Sequence, residues 1–447
     1  MKTLQTFLIR TYGCQMNELD SDLMKGLLLK KGLKPALNEE SADLVIFNTC
    51  SIRDLAERKV LGKIGLMLRS KKRQKIIGIT GCMPMLKKEK LLKKIPEIDF
   101  ILGPNNTFQL IQVLEEVMHQ KRTNPFPAPV SKLDEQSDLF FDYQKAERAS
   151  KIKAYVSIIR GCNNFCSYCV VPYTRGREVS RSLESIIDEC KTLQDQGYQE
   201  ITLLGQNVNS YNSQGLDFAD LLAEIDKLGF PRVRFMTSHP KDISYKLMQA
   251  IRDLPSVCEN LHLPFQSGSS RILKKMNRSY TQESYLEKVE LLKATVPNIT
   301  LGTDIIVGFP TETEEDFLET LKVFEKVRFL NAFVYAYSPR KGTSAYQLKD
   351  NVSKEIKSLR LQKTLSLFQK IQTEDNLKSL RQEKGQEQVV EVLVERETKE
   401  KGFLKGRTRD LKKVIFPGDK KLAGTLQKIR LEKFKHQTFL GQLIHNK

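Results

Sequence analysis

Short apolar runs alternate with stretches of helical spacing along most of the chain. Residues 6–9 form the first such run, and residues 18–31 follow with Leu19, Leu23, Leu27 and Leu28 on one face. A brief continuous run reads as a buried strand, and a period near 3.6 reads as an amphipathic helix. The alternation continues with strands at 44–47, 76–79 and 100–102 and helices at 54–68 and 108–118. Strands regularly separated by helices predict a parallel sheet covered on its faces.

Residues 121–150 break the pattern, being Pro-rich, polar and without periodicity, and read as a linker. Alternation then resumes with strands expected at 154–159, 200–204, 232–237, 260–263, 299–307 and 332–337. Helices are expected between them at 183–196, 218–228, 241–253, 269–276, 282–294 and 314–327. Six such units predict a wide parallel sheet or a partial (β/α) barrel, with the loops after the strands lining one active face. Those loops are polar and Gly-rich, as in G-Q-N-V-N-S-Y at 205–211 and L-P-F-Q-S-G-S at 263–269. A long helix over 354–380 closes the region. The last segment switches to a β-type alternation with turns at Lys401-Gly402 and Pro417-Gly418, which suits a small β-barrel. The expected organisation is a first α/β domain over 1–121, a linker over 122–147, a central domain over 148–380 and a barrel over 381–447.

Charge adds a partner to this picture. The 447 residues hold 73 Lys and Arg against 54 Asp and Glu, a net charge of +19. Residues 381–447 alone carry 17 basic against 9 acidic side chains. A basic small barrel is a usual reader of RNA, with a merely solvated basic surface as the plainer alternative. Lys405, Arg407, Arg409, Lys412 and Lys413 are the candidates for backbone contact. No apolar stretch approaches a membrane span, and the first residues lack a signal-peptide pattern, so a cytoplasmic protein is expected. No G-x4-G-K-[ST] loop points to nucleotide hydrolysis.

The cysteines carry the chemistry. Cys162, Cys166 and Cys169 stand at C-x3-C-x2-C spacing, and the segment offers no fourth. His119 and His239, the nearest histidines in sequence, lie far outside it. Structural zinc takes four ligands, and a [4Fe–4S] cluster normally takes four Cys. Three thiolates therefore leave one iron of a cubane open to a small molecule. Cys14, Cys50 and Cys82 each follow a predicted strand and precede a helix. The ends of parallel strands share one edge, so these thiols are expected to converge into a second three-Cys site. Cys190 and Cys258 have no such setting and read as buried thiols. The competing class is a non-catalytic RNA-binding protein stapled by zinc or an iron–sulfur group.

R-G-C-N-N-F-C-S-Y-C-V-V-P-Y-T-R-G-R-E at 160–178 resembles the cluster loop of the radical S-adenosylmethionine methylthiotransferases. Y-G-C-Q-M-N, F-N-T-C-S-I-R and G-C-M-P resemble the Cys motifs of that family's first domain. D-I-I-V-G-F-P-T-E-T-E-E-D-F looks like a later core loop, and G-R-T-R-D…V-I-F-P-G-D looks like its TRAM domain. The resemblance implies an open parallel α/β domain, a central partial (β/α) radical barrel and a small C-terminal TRAM β-barrel. It also implies two [4Fe–4S] clusters and S-adenosylmethionine. Cys162, Cys166 and Cys169 would hold the radical-generating cluster, and Cys14, Cys50 and Cys82 an auxiliary cluster bearing the sulfur to be inserted. A second S-adenosylmethionine would supply the methyl group.

Within the family the cluster loop is most similar to the branch that adds a methylthio group to C2 of N6-dimethylallyladenosine, next to the anticodon of tRNA. Other branches act on threonylcarbamoyl-adenosine of tRNA or on an aspartate of a ribosomal protein. Gly205, Gln206 and Asn207 occupy the position after a strand where such enzymes contact the cofactor, and a helix cap would use the same residues. Arg175 and Arg177 are candidates for RNA phosphate or the cofactor carboxylate, and His239 for a pocket or a structural role. The implied partners are a tRNA anticodon stem-loop, an electron donor such as flavodoxin or ferredoxin, and a sulfur source, acting on a monomer.

Overall fold

Six parallel strands build the first sheet in this computed structural model, which describes residues 4–50, 54–69, 75–124, 127–134, 146–380 and 388–444. They are β1 (Thr6–Tyr12), β2 (Lys34–Pro35), β3 (Leu44–Thr49), β4 (Ile76–Gly81), β5 (Phe100–Leu102) and β6 (Val130–Lys132). Their order is β2-β1-β3-β4-β5-β6. Every residue of β3 and β4 is buried, as expected for central parallel strands covered on both faces. The helices are α1 (Gln15–Lys30), α2 (Asp54–Arg69), α3 (Cys82–Lys94) and α4 (Leu110–Thr123). Pro84 lies in the first turn of α3, where a backbone N–H has no partner to lose.

The expected linker differs in part. Val130–Lys132 pairs with β5 as the outermost strand, with Val130 in the sheet's core. Helix α4 takes up the start of that stretch through Thr123, and residues 125–126 and 135–145 lie outside the described residues, as does the expected barrel boundary at 381.

The central domain contains β7 (Lys153–Ser157), β8 (Ile159–Arg160), β9 (Val179–Ser180), β10 (Glu200–Leu204) and the hairpin β11 (Asn212–Ser213) with β12 (Leu216–Asp217). It continues with β13 (Arg232–Phe235), β14 (Asn260–His262), β15 (Thr300–Val307) and β16 (Asn331–Ala336). Strands β13-β10-β7 and β14-β15-β16 make two parallel sheets that meet between β13 and β14. All six line one interior cavity, so the two sheets curl into the partial barrel. Val156, Ile201, Leu203, Val233, Leu261 and Ile305 are buried in the core of this domain. Each such side chain contributes about 1.5–3 kcal/mol on leaving water.

Helices of the central domain start on side-chain caps. Ser182 accepts from Ser185 N, and Thr281 and Thr313 form reciprocal capping boxes. The short helix α5 (Val171–Thr174) follows the cysteine loop, and a 27-residue helix, Lys354–Leu380, leads to the last domain.

There β17 (Val389–Glu397), β18 (Phe403–Arg407), β19 (Lys413–Pro417), β20 (Leu426–Lys435) and β21 (Thr438–Leu443) close into a barrel. It docks against the starts of the central strands. Lys153 meets Glu395 at 2.7 Å, Arg232 donates to Arg407 O at 2.6 Å, and Arg234 donates to Thr408 O at 2.9 Å. Among the described residues no helix is long and apolar enough to cross a membrane.

Candidate functional site

The first cysteine triad sits on a loop pinned at its mouth. Gly161 has φ +76°, and a Cβ there would lie 1.9 Å from Arg177 O, so only glycine fits. Its N–H donates to Gln206 Oε1 at 2.6 Å, and Cys162 N donates to Gly176 O at 3.2 Å. Strands β8 and β9 pair across the loop's two ends. Cys162, Cys166 and Cys169 consequently open into one cavity of about 260 Å³.

Each sulfur has a donor aimed at it. Asn164 Nδ2 lies 3.4 Å from Cys162 Sγ, Arg278 Nη1 3.4 Å from Cys166 Sγ, and Val171 N 3.5 Å from Cys169 Sγ. Burial, and next the neighbouring Cys166 charge, push the Cys169 thiol up to about 12. Three closely spaced thiolates in a dry site need a bound cation to persist, and N–H···S donors suit a metal-bound sulfur. Among the described residues no three His, Cys, Asp or Glu side chains gather tightly enough for one metal ion. The thiolates of a cubane sit on separate irons, and all three of these cysteines line the one cavity.

Of the three residues after β10, only Gln206 lines this cavity. Gly205 provides close approach, since a Cβ would lie 2.2 Å from Ile159 Cγ2. Asn207 Nδ2 instead holds Asp242 Oδ2 at 2.7 Å. His239 does both things expected of it. It faces the cavity, and its Nδ1 accepts from Lys241 N at 3.2 Å. Burial and then the Arg278 charge hold its pKa down to about 2, so the ring stays neutral.

The second triad follows from strand register. Tyr12 pairs with Thr49 and Thr49 with Gly81, so the three chain positions stand side by side at the ends of β1, β3 and β4. Cys14, Cys50 and Cys82 come one or two residues later. Asn17 and Asn48 tie this edge together. Asn17 Nδ2 donates to Asn48 Oδ1 at 2.7 Å, Asn48 Nδ2 to Asn17 O at 2.8 Å, and Cys14 Sγ to Asn17 Oδ1 at 3.3 Å. These two asparagines belong to the Q-M-N and F-N-T-C motifs, which were the only sequence signal for them. Ser51 to Arg53 lie outside the described residues.

Helix α5 joins the triads. It starts two residues beyond Cys169 and packs on α3, which starts at Cys82. Thr174 and Arg175 both hydrogen-bond the Cys82 thiol, whose pKa burial raises against the pull of Arg175. Arg175 therefore faces the other triad from within the protein, and RNA phosphate has no access to it. Burial works against its charge, and Cys82, Asp20 and Cys14 more than offset that. Arg177 is exposed, with its guanidinium 4.3 Å above the Phe165 ring.

A second cavity of about 580 Å³ fills the other end of the partial barrel. All six strands line it, α1 closes one side through Gln15 and Glu18, and Arg407 reaches it from the basic barrel. Phe333 on β16 remains 42% exposed there, with the His262 ring edge-on at 6.1 Å. His262 Nε2 pairs with Asp304 Oδ2 at 3.1 Å. Asp304 lines the cysteine cavity, so the two spaces adjoin at this pair.

The expected RNA contacts divide. Arg396 stands opposite Lys405 and Arg407 opposite Lys413 on neighbouring strands. Burial, then the Arg396 charge, lower the pKa of Lys405, a sign of crowded positive charge. Arg407 also lies 3.2 Å from Glu395. Lys412 pairs with Asp410 at 2.8 Å, and Arg409 is taken up by the central domain. Arg396 joins the basic face, a member the sequence alone did not single out. Cys190 and Cys258 are buried, as expected.

The radical SAM superfamily pattern matches residues 156–324, the uncharacterized protein family UPF0004 matches 6–103, and the TRAM domain matches 382–444. A tRNA-2-methylthio-N(6)-dimethylallyladenosine synthase of Protochlamydia amoebophila is 53% identical, with 99% of this chain and 97% of the relative covered. Its namesake in Thermoanaerobacter pseudethanolicus is 46% identical over 98% of this chain and 92% of the relative. Among solved structures, the radical S-adenosylmethionine methyltransferase TsrM from Kitasatospora setae superposes with a TM-score of 0.57 at 14% identity, covering 77% of each chain. That likeness concerns the fold. With its two cysteine triads, radical barrel and basic barrel in this order, the chain belongs to the tRNA-2-methylthio-N(6)-dimethylallyladenosine synthase family of radical S-adenosylmethionine methylthiotransferases.

Proposed function

We propose that this chain replaces the C2 hydrogen of N6-dimethylallyladenosine, beside the anticodon of tRNA, with a methylthio group. The observation that carries the reading is the pair of incomplete cysteine triads joined through α5, which follows one and packs beside the other. Cys162, Cys166 and Cys169 would hold one [4Fe–4S] cluster, and Cys14, Cys50 and Cys82 the other. With S-adenosylmethionine, the first cluster would supply one-electron hydrogen abstraction from carbon, which no side-chain base can perform.

The protein's part is placement. Gly161 and Gln206 set the loop, while Asn164, Arg278 and Val171 support its sulfurs. Lys405, Lys413 and Arg396 offer positive charge to the phosphate backbone. A base leaving its stack would lie against Phe333 and His262, in a space within the usual 300–1,000 Å³ of ligand sites. The reduced state calls for a one-electron donor of the flavodoxin or ferredoxin kind, and the inserted sulfur for a separate source. The catalytic unit is one chain, since both triads come from it.

Anaerobic reconstitution should load about eight irons per chain. Mass spectrometry of tRNA nucleosides from cells lacking the gene should show loss of 2-methylthio-N6-dimethylallyladenosine and accumulation of its unthiolated precursor. An unchanged nucleoside profile beside an altered ribosomal-protein mass would overturn the reading.

A further inference from the structure

Ser167, between two cysteines of the first triad, is held by two surface segments. Its N–H donates to Met276 O at 2.9 Å and its hydroxyl to Lys275 O at 2.8 Å, while its carbonyl accepts from Ala345 N at 2.7 Å. Ser167 is buried, whereas Lys275 and Tyr346, at and beside these contacts, are exposed. The cysteine loop therefore lies one layer of residues below this surface. Both segments are basic. R-I-L-K-K-M-N-R at 271–278 holds four cations and S-P-R-K-G-T-S-A-Y-Q-L-K at 338–349 holds three, with no acid in either. Lys90 of α3 joins them: it is in contact with Lys341, and that contact and the Lys341 charge lower its pKa. Among the described residues none of Lys90, Lys274, Lys275 and Lys341 has a carboxylate partner. Tyr346 and Leu348 on the same loop expose apolar surface.

Resting on the function proposed above, we infer that this face, with Lys90, Lys274, Lys275 and Lys341 beside Tyr346 and Leu348, docks an acidic one-electron donor protein that reduces the group held by Cys162, Cys166 and Cys169. The donor loses one electron and that iron–sulfur group gains it; no bond forms or breaks and no proton moves. Exposed apolar side chains beside unpaired cations suit an acidic protein partner. Redox encounters are small, under about 1,200 Å², and charge steers them, so a few lysines and two apolar side chains are enough. A second copy of this chain would bring the same lysines and be repelled. RNA is drawn instead to the basic barrel at the starts of the central strands, whereas both segments here follow the ends of β14 and β16.

The test uses the full chain, reconstituted anaerobically, with an acidic flavodoxin and an acidic ferredoxin as probes. Binding is measured by biolayer interferometry at low and high salt, and reduction by bleaching of the iron–sulfur absorbance in stopped flow. Dithionite, a small reductant that needs no docking surface, serves as the reference. Lys274→Glu with Lys275→Glu should weaken binding of the tighter probe ~10-fold or more at low salt, and less at high salt. Reduction by that probe should slow with it, while dithionite reduction and iron content stay unchanged. Lys341→Glu should weaken binding ~3-fold or more, yet its carboxylate can pair with Lys90, so the unfolding midpoint should not fall. Unaltered affinity in both variants at full iron overturns the assignment, as does failure of both probes to bind the unaltered protein. Loss of anticodon stem-loop affinity in place of probe affinity makes the face an RNA surface and equally overturns it. Any of these in protein that modifies tRNA under dithionite sinks this inference alone. Absence of both iron and product under dithionite sinks the proposed function itself.

Discussion

Arg409 of the basic barrel grips Glu259 of the central domain through two parallel hydrogen bonds, Nε to Oε2 at 3.0 Å and Nη2 to Oε1 at 2.9 Å. Its guanidinium also donates to Pro255 O at 3.0 Å and Val257 O at 2.7 Å. With every arm engaged, Arg409 is a strut between domains. Arg409→Ala should loosen the barrel by ~1 kcal/mol, measured as a lower unfolding midpoint or faster proteolysis of the barrel. It should leave the salt dependence of RNA binding as it was. Lys405→Ala or Lys413→Ala should do the reverse, lowering the slope of log affinity against log salt by about one each.

Gly161→Ala tests the loop that presents the first triad. The substitution demands a positive φ from a residue with a side chain and drives a Cβ into Arg177 O. The loop would have to open, costing several kcal/mol locally. Reconstituted protein should lose about four of its eight irons, with the remainder still on the N-terminal domain. Full iron content in this variant would show the loop to be less constrained than its backbone indicates.

Phe333→Ala tests the interior cavity as the seat of the base. Stacking of a base on an aromatic ring is worth ~1–3 kcal/mol, so KM for a prenylated anticodon stem-loop should rise by ~10-fold or more. Iron content should not change, because Phe333 is absent from the cysteine cavity's lining. Equal KM values would place the base elsewhere.

Asp22, on α1 at the edge of the same cavity, gives a pH-dependent prediction. Burial raises its pKa to about 6, and the Ala149 N–H only partly counters this. The unfolded chain releases the proton near 3.8, the folded protein near 6, so folding binds a proton between these values. The stability is full below the lower value and is lost as pH rises through the window. Asp22→Asn should therefore raise the unfolding midpoint at neutral pH by the equivalent of ~1–2 kcal/mol and do little at pH ~3.5. A pH-independent effect would refute the buried-carboxyl account.

Much of the architecture was readable because local pattern and global fold agree. The fully apolar L-V-I-F and I-I-G-I runs became the two central strands, and the Cys after each landed on the expected edge. What pattern could not supply was order and distance. Val130 reads as loop until β5 offers it an edge. Arg409 reads as a phosphate contact because its partner lies 150 positions away. Arg175 gave no sign of facing Cys82, since that depends on how α5 packs on α3. Periodicity reports burial along an element and is silent about which elements meet.

The basic barrel is fastened to the starts of the central strands, while the Cys162–Cys169 loop and its cavity lie past their ends. On the function proposed above, RNA held by the barrel and cofactor held at that loop would not compete for one entrance. A transfer of the kind proposed above could then run to completion on a single captured tRNA. Reaction intermediates need never be released and found again, and the slow step can be departure of the RNA.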